Sequence, residues 1–248
     1  MKLSDADIHR DLQAPFEALV PLLDLKKMSK KRLSVANKSV MADLLGEEPV
    51  PPLPSDLPPQ ALNLFYSIFH LYSSIGRFEI YKKMFKYYPW KGRITQSEHI
   101  QSAYYLFVHE CYILEERLKN YLNASKCYAE SNSIRIDLKS ISSLIMKWHK
   151  WVFGGPLRAR GRHVHEDEFV PREINRIGLL DIMILGTRMK KSKSTSVWEA
   201  LRRLAIRDAK KTWIDNCESA EKSARQIVAS AFSLTRPIWS HLAASSSR

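Results

Sequence analysis

Hydrophobic residues in this chain recur every three or four positions over long stretches, which is the period of an amphipathic α-helix. The clearest row runs from Ile100 to Leu122 and predicts a helix of about seven turns. Residues 60–88 carry apolar side chains on two faces, a pattern typical of a helix that is buried almost all round. The polar residues 123–132 predict a break before a further row, which extends from Ile134 to Val152. No segment alternates as a β-strand does, so the pattern predicts an all-α fold.

Short motifs predict where several helices begin and end. Thr95-Gln-Ser-Glu98 and Ser196-Val-Trp-Glu199 each have the form of a capping box, in which a hydroxyl and a carboxylate close free amides at a helix start. Gly154-Gly155-Pro156 predicts a helix end, since glycine suits the left-handed cap and proline cannot continue the helix. Pro171 suits the first turn of a later helix. The apolar members of that later helix are Ile174, Ile177, Leu180 and Ile184.

Six of the twelve residues 48–59 are proline, and this composition predicts an extended connector. The chain therefore divides into an N-terminal helical and proline-rich extension, residues 1–59, and a helical bundle, residues 60–235. The small and polar residues at the end of segment 236–248 predict a flexible tail.

The composition narrows the class of protein. The 248 residues carry 39 lysines and arginines against 26 acids, a net charge of +13, which favours capture of a polyanion such as nucleic acid. A surplus that only keeps the surface solvated is the alternative. The three cysteines are widely spaced, which is typical of a reducing compartment. Without a signal-peptide pattern or about 18 uninterrupted apolar residues, we expect a soluble, cytoplasmic protein with no membrane partner.

One segment concentrates groups that could do chemistry. Residues 158–168 hold three arginines, two histidines and three acids. Histidine moves protons near neutral pH, because its reference pKa is about 6.5, and arginine presents a planar fork of donors to phosphate. Arg160 and His165 are separated by four residues, and in a turn leading into a helix both would reach one surface.

The string Arg160-Gly-Arg-His-Val-His165-Glu166, between long helices, resembles the arginine–x4–6–histidine motif of the HEPN superfamily. The resemblance covers residues 60 to 235 in helix order and implies a HEPN-like helical bundle with an N-terminal extension. Many members of that superfamily are metal-independent endoribonucleases of toxin–antitoxin, abortive-infection and CRISPR-linked systems. It thus implies an RNA-cleaving hydrolase in such a system or in phage defence, without a cofactor.

Carried over by position, Arg160 is the motif arginine and His165 the motif histidine, with His163 and Glu166 as supporting candidates. Arg158 with His163, or Arg158 with His165, also fits the motif's spacing. The resemblance further implies a homodimer in which two motifs meet, and a cognate antitoxin protein as partner. The candidate RNA-binding residues are Arg158, Arg162, Arg188, Lys190, Lys191, Arg202 and Arg203.

Three other interpretations remain open. Glu166, Asp167 and Glu168 are available as ion-pair partners for the arginines, which would make the segment structural. His163 and His165 with a carboxylate have the spacing of some metal sites, but no further ligand converges on them in sequence. Finally, Gly161 stands where the family often has a polar residue, which favours a non-catalytic helical module that binds RNA or protein.

Overall fold

A computed structural model describes residues 4–23, 58–88, 94–165, 170–190 and 194–246. All regular structure in these ranges is α-helical, which confirms the all-α prediction. The helices are α1 (Asp5–Leu23), α2 (Pro59–Lys86), α3 (Gln96–Ser131), α4 (Leu138–His165), α5 (Arg172–Met189), α6 (Thr195–Leu234) and α7 (Arg236–Ser246). None of these helices combines the length and apolar character needed to cross a membrane.

The chain divides into two units that do not follow the boundary predicted at residue 59. The first consists of residues 1–69, 120–141 and 229–248, and the second of residues 70–119 and 142–228. Most of the proline-rich connector, residues 48–57, lies outside the described ranges.

In the first unit, α1 packs against α7. Asp11 is buried and its Oδ1 accepts a hydrogen bond from Arg236 at 3.1 Å. The buried Tyr121 ring stacks on Trp239, with centroids 6.2 Å apart. The flexible tail expected from residue 236 is therefore wrong for residues 236–246, because Ile238, Trp239 and Leu242 anchor a helix through apolar burial.

The predicted apolar rows mark most of the core. In α3, every member of the row from Ile100 to Leu122 is buried, and so are the four predicted apolar members of α5. In α2 only one of the two rows is buried; its members are Leu64, Ile68, Leu71, Ile75 and Phe78. The other row is partly exposed, with Phe69 at 60%, so the prediction of a helix buried all round is wrong.

Helix boundaries were harder to predict than helix faces. The capping box at Thr95 is confirmed: Glu98 N donates to Thr95 Oγ1 at 3.2 Å, and Thr95 N donates to Glu98 Oε2 at 2.6 Å. The second box is wrong, because α6 begins at Thr195 and Glu199 pairs with Arg188 instead. The break at 123–132 is also wrong, since α3 continues to Ser131.

The largest correction concerns Gly154-Gly155-Pro156, which was expected to end a helix. These residues lie inside α4, which continues to His165. Phe153 and Ala159, on either side of the three residues, are both buried. Packing of this helix face therefore outweighs a local preference that costs about 1 kcal/mol per glycine and about 3 kcal/mol for proline.

A buried carboxylate joins α2 to α3 in the second unit. Glu110 of α3 is fully buried. Its Oε2 accepts from Arg77 Nη1 of α2 at 3.1 Å and from the Tyr81 hydroxyl at 3.3 Å. Its Oε1 accepts from Arg117 at 3.3 Å, and Arg117 also donates to Ser74 Oγ at 2.6 Å. A charge buried this deeply is tolerated because both oxygens are paired with cations.

Replacing Glu110 with Gln is expected to lower the free energy of unfolding by about 3 kcal/mol, because Arg77 and Arg117 lose their shared anion. Chemical denaturation followed by circular dichroism measures this loss. Glu130→Gln is the control, since Glu130 and its partner Lys126 are both exposed. If the two variants unfold at the same denaturant concentration, the Glu110 cluster does not stabilise the fold.

Candidate functional site

Residues 158–165 of the arginine- and histidine-rich segment lie in the last turns of α4 and not in a turn that leads into a helix, as the sequence suggested. Arg158 and Arg160 are described in full, and the backbone of residues 162–165 is helical. The side chains of Arg162, His163 and His165 lie outside the described part of the chain, as do residues 166–169 with Glu166.

Helix geometry separates the two residues preferred from the motif. Five residues correspond to about 500° of rotation, so positions 160 and 165 lie about 140° apart around the axis of α4. Positions 158 and 165 are seven residues apart, which brings them within about 20° of one face and about 10 Å along the axis. Position 162 lies between them on that face. The helix thus aligns Arg158, rather than Arg160, with His165.

Arg160 instead contacts α3. Its guanidinium carbon lies 3.6 Å from the centroid of the Tyr112 ring, within the range of a cation–π interaction. Arg160 is half-buried, and no carboxylate of the described residues pairs with it or with Arg158. The ion pairs considered with residues 166–168 involve positions outside the described part. In this structure Arg160 fastens the end of α4 to α3.

The solvent face of α4 combines cations with an aromatic ring. Trp151 is 82% exposed, and Lys147, Lys150 and Arg158 are exposed around it on the same side of the helix. Arg158 lies along this surface, because its Nη1 would be 3.4 Å from a Cβ added at Gly154. Cations with an interleaved exposed aromatic are typical of single-stranded nucleic-acid surfaces. We call Lys147, Lys150, Trp151 and Arg158 the α4 basic face.

A pocket of about 430 Å³ lies in the second unit, between α3, α4, the start of α5 and α6. Trp213 forms part of its wall and packs edge-on against Tyr104 and Phe107, with ring centroids 4.8 and 5.7 Å away. The described apolar residues that line it are Tyr104, Phe107, Val108, Val152, Phe153, Gly155, Pro156, Ala159, Pro171, Trp213 and Ala220. The polar ones are Glu173, Asn216, Ser219 and Ser223.

His149 packs against Phe153, one of the residues that line the pocket. It is fully buried, its ring lies 4.9 Å from that of the pocket residue Phe153, and its Nε2 is 3.2 Å from the carbonyl oxygen of Cys111. A carbonyl only accepts, so Nε2 carries the proton and donates. Burial lowers the pKa of His149 to about 4, which keeps the ring neutral at physiological pH.

Of the other predicted RNA-binding cations, Arg188 lies on α5, Lys190 directly follows that helix, and Arg202 and Arg203 lie on α6. Arg188 is paired with Glu199 at 2.6 Å, and Arg202 is paired with Asp181. Lys190 and Arg203 are exposed, and Lys191 lies outside the described ranges. Two of these four described cations are thus already neutralised by carboxylates. Among the predicted cations whose side chains the structure describes, Arg158 is the one on the α4 basic face.

No protein-family model, curated protein or solved structure matches this chain. Within the described ranges, no group of histidines, cysteines and acids has the arrangement of a metal site. The site must therefore be interpreted from its own geometry.

Sequence reasoning missed Trp151, the two lysines beside it and the pocket. The signal for the first three was present, because Lys147, Trp151 and Arg158 follow the helical spacing i, i+4, i+11. It was hidden by the helix end predicted at Gly154. The pocket joins residues from four helices, and only the tertiary fold brings them together.

The free energy of unfolding is expected to fall by up to about 3 kcal/mol as the pH drops from about 6.5 to about 4, through His149. Over this window the unfolded chain binds a proton at residue 149 and the folded chain does not, because the folded pKa is about 4. His149→Gln retains a donor for Cys111 but cannot titrate, so it should lack this increment. Denaturant titrations at several pH values measure it, with the exposed His109→Gln as control. Equal pH slopes for the wild type and His149→Gln would contradict the assignment.

Proposed function

We propose that this chain is a metal-independent endoribonuclease of the HEPN type, whose site pair is Arg158 of the α4 basic face and His165 at the end of the same helix. The observation that supports it best is the continuity of α4 to His165, which aligns both positions with Lys147 and Trp151. The cations would hold the RNA backbone and the indole ring would stack on a base.

The chemistry needs a base, an acid and a cation. In the proposed reaction the 2′-hydroxyl oxygen attacks the adjacent phosphorus while its proton passes to a base. The bond to the 5′ oxygen breaks, and that oxygen receives a proton from an acid, which leaves a 2′,3′-cyclic phosphate and a 5′-hydroxyl. His165 supplies one proton transfer, since histidine titrates near neutral pH. Arg158 stabilises the charge on the phosphate. His163, Glu166 or a second copy's His165 would supply the other transfer.

A wide apolar face on α5 supports the proposed homodimer. It lies opposite the buried row of this helix and extends over about three turns. Its exposed members are Leu179, Ile182, Met183, Leu185 and Met189. Singly scattered exposed apolar residues are normal on a monomer, whereas several on one helix face are typical of a protein interface. A second copy is the partner that also doubles the cations available to one phosphate.

A non-catalytic RNA-binding module is the second candidate. Trp151 and its neighbouring lysines favour it, because they would bind RNA whether or not His165 moves a proton. Gly161, which the family often replaces by a polar residue, also favours it. The settings implied by the resemblance, toxin–antitoxin or phage defence with a cognate antitoxin, stay predictions.

Cleavage of RNA in EDTA tests the nuclease and its register. His165→Ala should abolish cleavage, and Arg158→Ala should slow it by about 100-fold or more. Arg160→Ala should retain most activity, since Arg160 contacts Tyr112 and lies on another face. Arg135→Ala, at an exposed arginine of the first unit, is the control. Loss of cleavage by Arg160→Ala, together with full activity of Arg158→Ala, would support Arg160 instead of Arg158 as the partner of His165. RNA binding without any cleavage would favour the module.

Ile182→Glu should convert the dimer into a monomer, because a carboxylate would be buried without a partner at an apolar interface. Analytical ultracentrifugation measures the change. Ile80→Glu is matched to it, since both isoleucines are exposed on helices, at 54% and 67% for Ile80 and Ile182 respectively. A wild-type monomer, or a dimer that survives Ile182→Glu, would contradict the assignment of this face.

A further inference from the structure

The pocket adjoins the α4 basic face at Gly155. This glycine lines the pocket and is exposed, and it lies one turn after Trp151 on neighbouring sides of the helix. A Cβ added at Gly155 would meet no heavy atom within 4 Å, so open space lies next to the backbone here. Anything held on the basic face therefore has direct access to the pocket past a position without a side chain.

The interior of the pocket suits a planar ring with polar edges. Tyr104, Phe107, Phe153 and Trp213 provide aromatic surface on α3, α4 and α6. Asn216, Ser219 and Ser223 of α6 provide donors and acceptors, and Glu173 of α5 provides a carboxylate. Sites for small organic groups typically combine such apolar walls with a few polar groups, at volumes of roughly 300–1,000 Å³. At about 430 Å³, the pocket is large enough for a base with part of its ribose.

The charge in the pocket has the opposite sign to that on the adjoining face. Glu173 is the charged residue among the described lining residues, and no lysine or arginine is included. Among the described lining residues, a phosphate inside the pocket would therefore face a carboxylate and no compensating cation. A base is uncharged and would leave its phosphates outside, next to Arg158 and Lys147. The arrangement favours a ligand with a neutral planar part and an anionic backbone.

We propose that this pocket binds a nucleobase of single-stranded RNA, with the ribose-phosphate on the α4 basic face. The inference rests on the proposed function for its RNA ligand and extends it by naming a base-binding site. Single-stranded RNA is recognised in this way elsewhere, by splaying out bases and stacking them on aromatic side chains.

The polar groups favour guanine over the other bases. Tyr104 has a phenol hydroxyl that is protonated at neutral pH and can donate; burial, with smaller contributions from neighbours that include Glu173, raises its pKa further, to about 12. The Glu173 carboxylate can accept two hydrogen bonds. Guanine presents two adjacent N–H groups for a carboxylate and a carbonyl oxygen for a hydroxyl donor. Adenine and cytosine each offer an amino group but no ring N–H beside it, and uracil offers a ring N–H but no amino group beside it.

Gly155→Leu places a branched side chain at a position that lines the pocket, without removing any charge or aromatic ring. Leucine favours a helix over glycine, and a Cβ at this position meets open space, so the variant should fold at least as well. Gly76→Leu is the matched control, because Gly76 is also an exposed helical glycine with no heavy atom within 4 Å of an added Cβ. Gly76 lines no part of the pocket.

Fluorescence anisotropy with 2′-O-methyl oligonucleotides, which cannot be cleaved, measures binding by the full chain. One oligouridine carries a single central guanine, and its partner carries an abasic site there. We expect the guanine to strengthen wild-type and Gly76→Leu binding about tenfold over the abasic probe. Gly155→Leu should bind both probes equally, at the wild-type level for the abasic one. Guanosine alone should compete for the guanine-dependent part only.

The other outcomes separate the two proposals. Equal binding of the two probes by the wild type, or a guanine advantage that survives Gly155→Leu, would overturn the pocket while leaving RNA binding in place. If no oligonucleotide binds but guanosine binds in a way that Gly155→Leu removes, the base-binding pocket is supported for a free nucleoside and the RNA proposal is overturned. If neither ligand binds, both proposals fail.

Discussion

The Glu110 carboxylate sets the arrangement of the helices that carry the site. It is buried in α3 and satisfied by Arg77 of α2 and Arg117 of α3. An ion pair of this kind fixes one relative position of two helices, since any slip leaves a buried charge unpaired. The next residue, Cys111, accepts the hydrogen bond of His149 from α4. Two adjacent residues of α3, Glu110 and Cys111, thus contact α2 and α4 respectively. The pocket residues Tyr104 and Phe107 lie two turns or less before these two residues on the same helix.

The same contacts explain why Gly154-Gly155-Pro156 does not end a helix. The local signal is a strong one, because proline has no amide donor and its ring crowds the carbonyl four residues earlier. It is opposed by packing before and after the three residues, from His149 and Phe153 on one side and Ala159 and Arg160 on the other. Here Gly155 leaves open space beside the pocket.

Sequence periodicity predicted the buried faces of α3 and α5 well, but it predicted the packing of α2 and the helix at 236–246 less well. The α3 and α5 rows are buried as expected, since a helix with a single apolar row can bury that row only by turning this one face toward the core. Which of the two apolar rows of α2 becomes buried depends on the helices that pack against it. The local sequence of α2 does not specify those helices. The helix at 236–246 was missed for a related reason: its few apolar residues become decisive only when α1 covers it. At the site, Arg158 and His165 were candidates from spacing alone, but the helix continuing through Gly154 was required to align them.

The separation of charge across Gly155 links the two proposals. A protein that only attracts RNA needs cations, and it gains nothing from a pocket that excludes them. A protein that acts on a particular bond must also set the position of the strand along the cationic surface. Phosphates repeat at every nucleotide and carry no positional information, whereas a base inserted among Tyr104, Phe107, Phe153 and Trp213 would fix one nucleotide relative to Arg158. Productive geometry at a phosphodiester is sensitive to displacements of about 1 Å, so such an anchor would contribute to rate as well as to affinity. A pocket whose described lining contains no lysine or arginine, directly beside a face that carries them, would meet both requirements.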